Sequence, residues 1–553
     1  MPVVNFSIKR LNKLLPGIDL NQVLQVLPFI GLDIEGIDSE VLRVEYNPNR
    51  PDFAADYGIV RALRGLLEIE TGLPRFKLNK EVNKYSVNVD DSVRYIRPYI
   101  VALIAKNGSL GNGTIMQLLG MQDDLQNGIG RGRRSASIGI YNMDTIEFPL
   151  RYSTVNEDFS FVPFEHKSSQ TIKSILNKSN IGIDYGRVLR GAKRYPIIVD
   201  FKDNVLDFPP IINGNIPKVS VNNTNLFIEI TGNNRKTIED ILAILAITLY
   251  DAGFELQNVT INNFDGNAYT PKMEASYINI DASYVNTLLG LDFEVNEIIR
   301  YLKKSRLDAR QTKNKKIIEC CIPRYRLDVL NYADIVEEVA IGYGIYNLKP
   351  TIPVTALAGQ KDLTSTYIDI IRHTMVGLQM LEIVNFSLVS RKIQYELSGI
   401  KEPENVAFIK ATKSSEHEVL RDTLLPSLLR SLSRNVHEEY PQKLFEIGKI
   451  FEWSENINEY WSLGVVVAHN TADYTEIKSI MQTLLRISFG KSVTTEVATN
   501  PIFINGRCAN IIIDDESVGI IGEITPYAIN NFKVRVPIAA FELNISKLLR
   551  HKR

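Results

Sequence analysis

The chain has 553 residues, with 63 Lys and Arg against 64 Asp and Glu, for a net charge of −1. That length predicts about three to five domains, and the even balance excludes a global basic field for nucleic acid, leaving only local patches. Cys320, Cys321 and Cys508 are too few for a disulfide framework and fit a reducing compartment, and the six scattered histidines without a CxxC argue against zinc.

Met1-Pro-Val-Val-Asn lacks the basic start and apolar core of a secretory signal. In the first segment, 1–80, Asn47-Pro-Asn-Arg-Pro-Asp52 is a stiff turn, with Pro51 suited to a first helical position. Phe53, Tyr57, Val60, Leu63 and Leu67 then recur at helical spacing, and Thr71-Gly-Leu-Pro74 is the stop signal.

Residues 85–265 mix strand-like runs with two helical ones. Tyr99 to Ala105 and Ser137 to Tyr141 read as strands. Between them lies Gly128-Ile-Gly-Arg131-Gly-Arg133-Arg134, a flexible phosphate-binding loop or a solvated basic turn. Phe208-Pro-Pro-Ile-Ile-Asn213-Gly214 is a rigid turn, since proline fixes its own φ and restricts the residue before it. Asn225 to Gly232 reads as a strand that puts Glu229 and Thr231 on one face. The apolar run Ile241 to Tyr250 is too short to span a bilayer and reads as a buried helix, so a soluble, cytoplasmic protein is expected.

Residues 268–347 predict a small α/β unit. A strand at Ser276 to Ile280 precedes helices at Val285 to Leu289 and Val295 to Lys303, and Lys313-Asn-Lys-Lys316 is a hairpin tip before the strand Ile317 to Ile322. Its last helix sets Ile335, Val336, Val339, Ala340 and Tyr343 on one face and Asp334, Glu337 and Glu338 on the other, with Asp328 just upstream. Clustered carboxylates repel unless a cation or a basic partner neutralises them, and magnesium takes such oxygens; a plain solvated face is the alternative. Ile341 within the acidic face calls for a covering partner.

Lys349 to Pro353 reads as a linker. In 355–553 a helix at Tyr367 to Leu378 precedes a strand at Glu382 to Leu388 and an amphipathic helix at Leu420 to Leu432 around Pro426. Strands at Lys443 to Phe451, Tyr460 to Val467 and Ile511 to Ile521 follow. Long antiparallel strands beside a few helices argue an α+β multidomain chain.

Taken in order, Asn49-Arg-Pro-Asp52, Pro209 to Asn213, Phe227-Ile-Glu-Ile-Thr-Gly232, Pro323 to Asp328 with its acidic helix, Leu420-Arg-Asp-Thr-Leu-Leu-Pro426 and Phe445-Glu-Ile-Gly448 resemble the β subunits of phenylalanyl-tRNA synthetases, archaeal or eukaryotic cytosolic type. The resemblance runs over essentially the whole chain. It implies an N-terminal α/β domain at 1–80, an editing-type α/β domain at 85–265, a winged-helix-like unit at 268–347, and a class II synthetase-like antiparallel sheet domain at 355–553 that lacks catalytic residues.

It further implies an α₂β₂ ligase in which the α subunit binds ATP and phenylalanine and charges tRNA(Phe). The family's Mg2+ positions fall on Asp328, Asp334, Glu337 and Glu338, and its editing pocket, for tyrosine wrongly joined to the tRNA, on Glu229, Thr231, Asp207 and Asn213. Editing answers a physical problem, because a pocket for phenylalanine cannot strongly reject one added hydroxyl. Two positions depart from the family: Glu229 stands where Asp is usual and Asp207 where Ser is usual. Arg131, Arg133 and Arg134 are RNA-contact candidates.

The sequence agrees with a non-catalytic 355–553. Active class II sites hold ATP phosphates with arginine forks, yet Phe445 to Phe451 is followed by Glu452, and Gly522-Glu-Ile-Thr525 replaces a Gly-rich arginine motif. The bacterial form's OB-fold and C-terminal anticodon-binding domain are not expected. A free-standing mischarged-tRNA deacylase would not need 355–553. A non-enzymatic nucleic-acid module using 268–347 is disfavoured by its acidic last helix.

Overall fold

A computed structural model describes residues 2–79, 84–216, 218–353, 358–410, 412 and 414–550. Met1 and the boundary expected at 355 lie outside them. The chain divides into two compact units, Met1–Ile352 and Pro353–Arg553.

The first unit starts with a three-stranded antiparallel sheet in the order Val3–Ser7, Val41–Tyr46, Leu32–Ile37. A 3-10 turn with Pro51 at its start leads into helix α1 (Asp56–Leu66). This helix ends before the expected stop at Thr71. Next come β1 (Tyr99–Lys106), α2 (Gly111–Asn127), β2 (Ala136–Asn142), β3 (Val205–Phe208), β4 (Leu226–Gly232) and α3 (Arg235–Asp251).

Alternation splits β4 between two cores. Leu226, Ile228 and Ile230 join α3 and the N-terminal segment in one core, and Phe227 joins Tyr141, Tyr152 and Ile104 in another. The first of these cores draws on residues from Val4 to Tyr325, and the boundary expected at 80 lies outside the described residues. Two short helices, Ile172–Lys178 and Asn180–Tyr185, add to α2 and α3, so the described residues of 85–265 carry four α-helices rather than two. They are too brief for periodicity and begin at the caps Thr171 and Ser179.

Most strands of this region, with Leu78–Asn79 and Gly266–Thr270, form an eleven-stranded sheet in which β4 lies between β1 and β2. β2 ends the run, and α2 covers its open side: Gln122 Nε2 donates to the Ile138 carbonyl at 2.7 Å, and Gln126 Oε1 accepts from the Ile138 N–H at 3.2 Å.

The unit's last part is a three-stranded sheet (Ser276–Asp281, Ile317–Ile322, Asp308–Gln311) with helices Ala282–Leu289, Val295–Lys304 and α4 (Tyr332–Tyr343). Ile335, Val336 and Val339 fill its core. Glu338, expected on the polar face, is buried, and Ile341 packs on the core shared by the N-terminal segment and the large sheet. The partner that covers Ile341 is thus this chain itself.

The second unit is a seven-stranded sheet with a core on each face. Three expectations change. Glu382 to Leu388 is not a strand; only Leu381–Glu382 and Leu388–Val389 pair. Pro426 opens helix α5 (Leu425–Arg434) rather than sitting within it, because proline cannot donate inside a helix. Ile511 to Ile521 is a hairpin of Phe503–Ile513 and Glu516–Ile524, turned at Asp514 and Asp515, whose φ are 49° and 61°. The long strands are β5 (Gln442–Trp453) and β6 (Ile457–Ala468).

Candidate functional site

β4 and β2 pair with Glu229 opposite Gly139 and Thr231 opposite Ser137. All the side chains on this face are shut from water: Glu229 and Thr231 are 0 % exposed and Asp207, from β3, 5 %. Tyr141 Oη donates to Glu229 Oε1 at 3.1 Å, and the Tyr141 ring stacks on Phe227.

Arg97, 1 % exposed, reaches the cluster from below β1. Its Nε donates to Thr231 Oγ1 at 2.9 Å, and its Nη2 to the Thr231 carbonyl and Ser137 Oγ at 2.6 and 3.0 Å. The remaining nitrogen donates to the Arg133 carbonyl at 3.2 Å. No carboxylate among the described residues hydrogen-bonds Arg97, and burial lowers its pKa.

The two carboxyls are pushed the other way. Burial raises Asp207 from 3.8 to about 7, with Arg133 and Arg97 pulling it back. Glu229 is raised well above its ordinary range by burial and then by Asp207. Two adjacent buried carboxyls cannot both ionise cheaply, so burial and mutual repulsion push the pair up together.

Beside this cluster lies a cavity of about 330 Å3, lined by Leu118, Gln122, Arg133, Tyr141, Phe164, Ile211, Asn213 and Lys218, among others. Asn213 and Arg133 therefore line open space, while Glu229, Thr231 and Asp207 do not. The structure joins Asp207, Glu229 and Thr231 in one cluster and adds Arg97, Ser137 and Tyr141, which sequence reasoning did not single out. A lone arginine ahead of an apolar strand is the only signal Arg97 gives.

The basic loop is committed. Arg131, Gly132 and Arg133 all have positive φ, at 53°, 61° and 64°. Their N–H groups donate to the carbonyls of Gly128, Asn127 and Gln126, so the loop closes the C-terminus of α2 instead of cradling an anion. The Arg133 guanidinium donates to the Ile211 carbonyl at 3.0 Å and lies 4.1 Å from the Tyr185 ring centroid. Arg131 and Arg134 point their charges to solvent.

At the acidic helix, Arg326 is the neutralising cation. It donates to both oxygens of Asp328, at 2.9 and 2.6 Å, and forms an ion pair with Glu338. Burial raises Asp328, but Arg326 more than offsets this and its net shift is down; Arg326 itself stays firmly charged. Asp334 Oδ2 accepts the Leu330 and Asn331 N–H groups at 2.7 and 2.8 Å and so caps α4. Exposed Glu337 is raised by partial desolvation and then by Glu338, Asp334 and Asp328.

Among the described residues no group of three or more metal-type ligands is arranged to hold an ion. The donor set fits magnesium only in part, since both Asp328 oxygens serve a guanidinium. Arg50, paired with Asp52, comes within 3.9 Å of Asp328, and Arg61 lies over the Tyr325 ring at 4.3 Å. The Asn49–Asp52 and Pro323–Asp328 motifs thus interlock through buried charges.

In the second unit, Arg421 is buried and donates to Glu446 Oε1 at 2.6 Å, and Glu542 accepts from Ser462 Oγ at 2.8 Å. A Cβ on Gly448 would strike Arg421. The polar groups on this sheet are used internally, and α5 covers them.

Comparison with known proteins gives a consistent answer. Residues 278–345 match the family model of the tRNA synthetase B5 domain, and 348–545 that of the phenylalanyl tRNA synthetase beta chain CLM domain. The chain is 36% identical over 550 residues to the phenylalanine–tRNA ligase beta subunit of Archaeoglobus fulgidus, covering 99% of this chain and 98% of that one. It is 34% identical to that of Methanococcoides burtonii, at 99% and 100% coverage. An N-terminal fragment of the phenylalanyl-tRNA synthetase beta subunit from Pyrococcus horikoshii superposes with a TM-score of 0.59 at 26% identity, over 62% of this chain and 99% of the fragment. No helix among the described residues is long and apolar enough to cross a membrane.

Proposed function

Because the chain belongs to the phenylalanine–tRNA ligase β-subunit family, a subunit of an aminoacyl-tRNA synthetase that partners the α subunit, we propose that it supports charging by α in an α₂β₂ assembly and removes tyrosine from mischarged tRNA(Phe) at the β2–β3–β4 cluster. The observation that carries the editing half is the buried Glu229–Asp207 pair with Arg97, both carboxyls pushed up by burial, beside a cavity of about 330 Å3. Perturbed carboxyls next to a cavity are what a site that reads a hydroxyl or moves a proton requires.

Glu229 Oε1 already accepts a phenol hydrogen bond, from Tyr141. A tyrosyl side chain offers the same group and a phenylalanyl one does not. Hydrolysis consumes water at the ester carbon and releases tyrosine and the terminal tRNA hydroxyl. The exposed charges of Arg131 and Arg134 suit the tRNA backbone. Domains at 1–80, 85–265, 268–347 and 355–553 and a cytoplasmic setting belong to the same reading.

The second unit serves as a platform without synthetic chemistry, in line with Arg421 and Glu446 being spent on each other. ATP and phenylalanine bind on α. Magnesium at the acidic helix, the part the family positions suggest, would find its free carboxylate in Glu337 and supply charge neutralisation there, since Arg326 already engages both Asp328 and Glu338.

Two assays test this. ATP–pyrophosphate exchange with phenylalanine is expected only when the α subunit is present, and exchange by this chain alone overturns the platform. The assembled enzyme is expected to deacylate preformed tyrosyl-tRNA(Phe), with Glu229→Ala losing this while phenylalanine charging persists; equal deacylation by parent and variant removes Glu229 from the site.

A further inference from the structure

The candidate editing cluster has an occupant of its own. Gly139 faces Glu229 across the β2–β4 pair. A Cβ at Gly139 would collide with both the Tyr141 hydroxyl and Glu229 Oε1. The glycine therefore leaves a notch, and the Tyr141 phenol folds back into it and donates to Glu229 at 3.1 Å. Tyr141 is 0 % exposed, and it also forms part of the wall of the 330 Å3 cavity. One side chain thus stands between the open space and the buried carboxyl.

Resting on the editing reading, we propose that Tyr141 gates access to Glu229: its phenol holds the position that the phenol of a misattached tyrosine takes, and a ligand reaches Glu229 only by displacing it. Displacement by a tyrosyl side chain exchanges one phenol–carboxyl hydrogen bond for another. Displacement by a phenylalanyl side chain leaves Glu229 Oε1 unpaired in a dry site. The gate thus raises the threshold for both ligands alike, and Glu229 supplies the discrimination, as a site built around a hydroxyl rejects the analogue lacking one.

The threshold is testable because Tyr141→Phe keeps the ring and removes the bond. It lowers the displacement cost equally for both ligands. In the assembled enzyme, hydrolysis of tyrosyl-tRNA(Phe) and of phenylalanyl-tRNA(Phe) should both rise by about fivefold at subsaturating substrate, with their ratio unchanged. A residue that merely packs the core would lower both rates when altered. Unchanged or lower rates for both overturn the gate.

A second measurement needs no tRNA. In the full chain, Tyr141→Ala opens a phenol-shaped space on Glu229. Its thermal transition should rise with p-cresol, with at least fivefold weaker binding of toluene, while the parent binds neither at the same concentration. If Tyr141→Ala does not fold, Tyr141→Leu replaces it. Equal binding of p-cresol and toluene, or binding of neither, overturns the notch. If the parent hydrolyses no tyrosyl-tRNA but the variant still selects p-cresol over toluene, the editing reading falls and the phenol notch stands.

Discussion

Arg97 and Arg326 are both buried arginines of the first unit, and they keep opposite company. Arg326 has two carboxylates in hydrogen-bond contact and its charge is held firmly. Arg97 has hydroxyls and carbonyls, while burial pushes the nearby Asp207 and Glu229 carboxyls up. A buried charge with its counter-charge in contact costs little to keep and a great deal to break. A buried charge offset only by dipoles leaves nearby carboxyls poised to titrate, which is the condition of a site rather than of a joint. The comparison separates an arginine that holds segments together from one whose surroundings leave neighbouring carboxyls poised.

The largest effect should come from breaking the joint. Arg326→Met leaves Asp328 and Glu338 buried without their cation, and urea unfolding of the first unit should show a loss of about 3–5 kcal/mol. Adding Glu338→Gln should restore part of it. A loss near zero would make Arg326 no different from a surface charge.

Next is the proton on the Arg97 side. Asp207 binds its proton more tightly in the folded chain, at about 7, than its ordinary value of 3.8 allows in the unfolded chain. The folded state therefore carries more protons between those values, and unfolding free energy should fall as pH rises from about 4 to about 7, by up to about 4 kcal/mol. In Asp207→Asn that part of the pH dependence should disappear. A parent whose stability rises over the same interval would show that Asp207 is ionised.

Smaller effects mark where neither arginine matters. Gln126→Ala should uncover the Ile138 N–H and cost about 1 kcal/mol in thermal or urea unfolding. Arg131→Ala with Arg134→Ala should shift stability by less than about 0.5 kcal/mol. If both contact phosphate, the salt dependence of tRNA(Phe) binding should become shallower by about two in log–log slope. Loss of stability in that pair would place the two side chains in the fold instead.

Much of this was legible in the residues. The strands around Ile100 and Ile228 and the helix Ile241 to Tyr250 announce themselves by apolar runs and period. So does the core stripe Ile335, Val336 and Val339. Glu229 and Thr231 fall on one strand face because strand alternation is rigid. Less legible was anything decided by distant partners. The acidic face of α4 reads as a cation site or a solvated surface until Arg326 is found engaging Asp328 and Glu338. The loop at Arg131 reads equally as a phosphate loop or a solvated turn until its N–H groups are followed back to α2. Asp514-Asp515 adopts positive φ without a glycine to signal the turn, which hid a hairpin. Arg97 and Tyr141 became visible only when two strands far apart in sequence were laid side by side.

The cover that α2 gives to β2 reaches beyond the site. An unpaired strand edge is a template for another chain, and sheets of many strands pay heavily in solubility when one is bared. Here the edge is sealed by two glutamine amides instead of by a charge or a proline. Leu118 and Gln122 of the same helix wall the cavity, so widening that space by moving α2 also unseals the edge. Selection for a roomier pocket in this chain is consequently also selection against staying monodisperse, and libraries varied at Gln122 or Gln126 should be sorted for aggregation before they are sorted for activity.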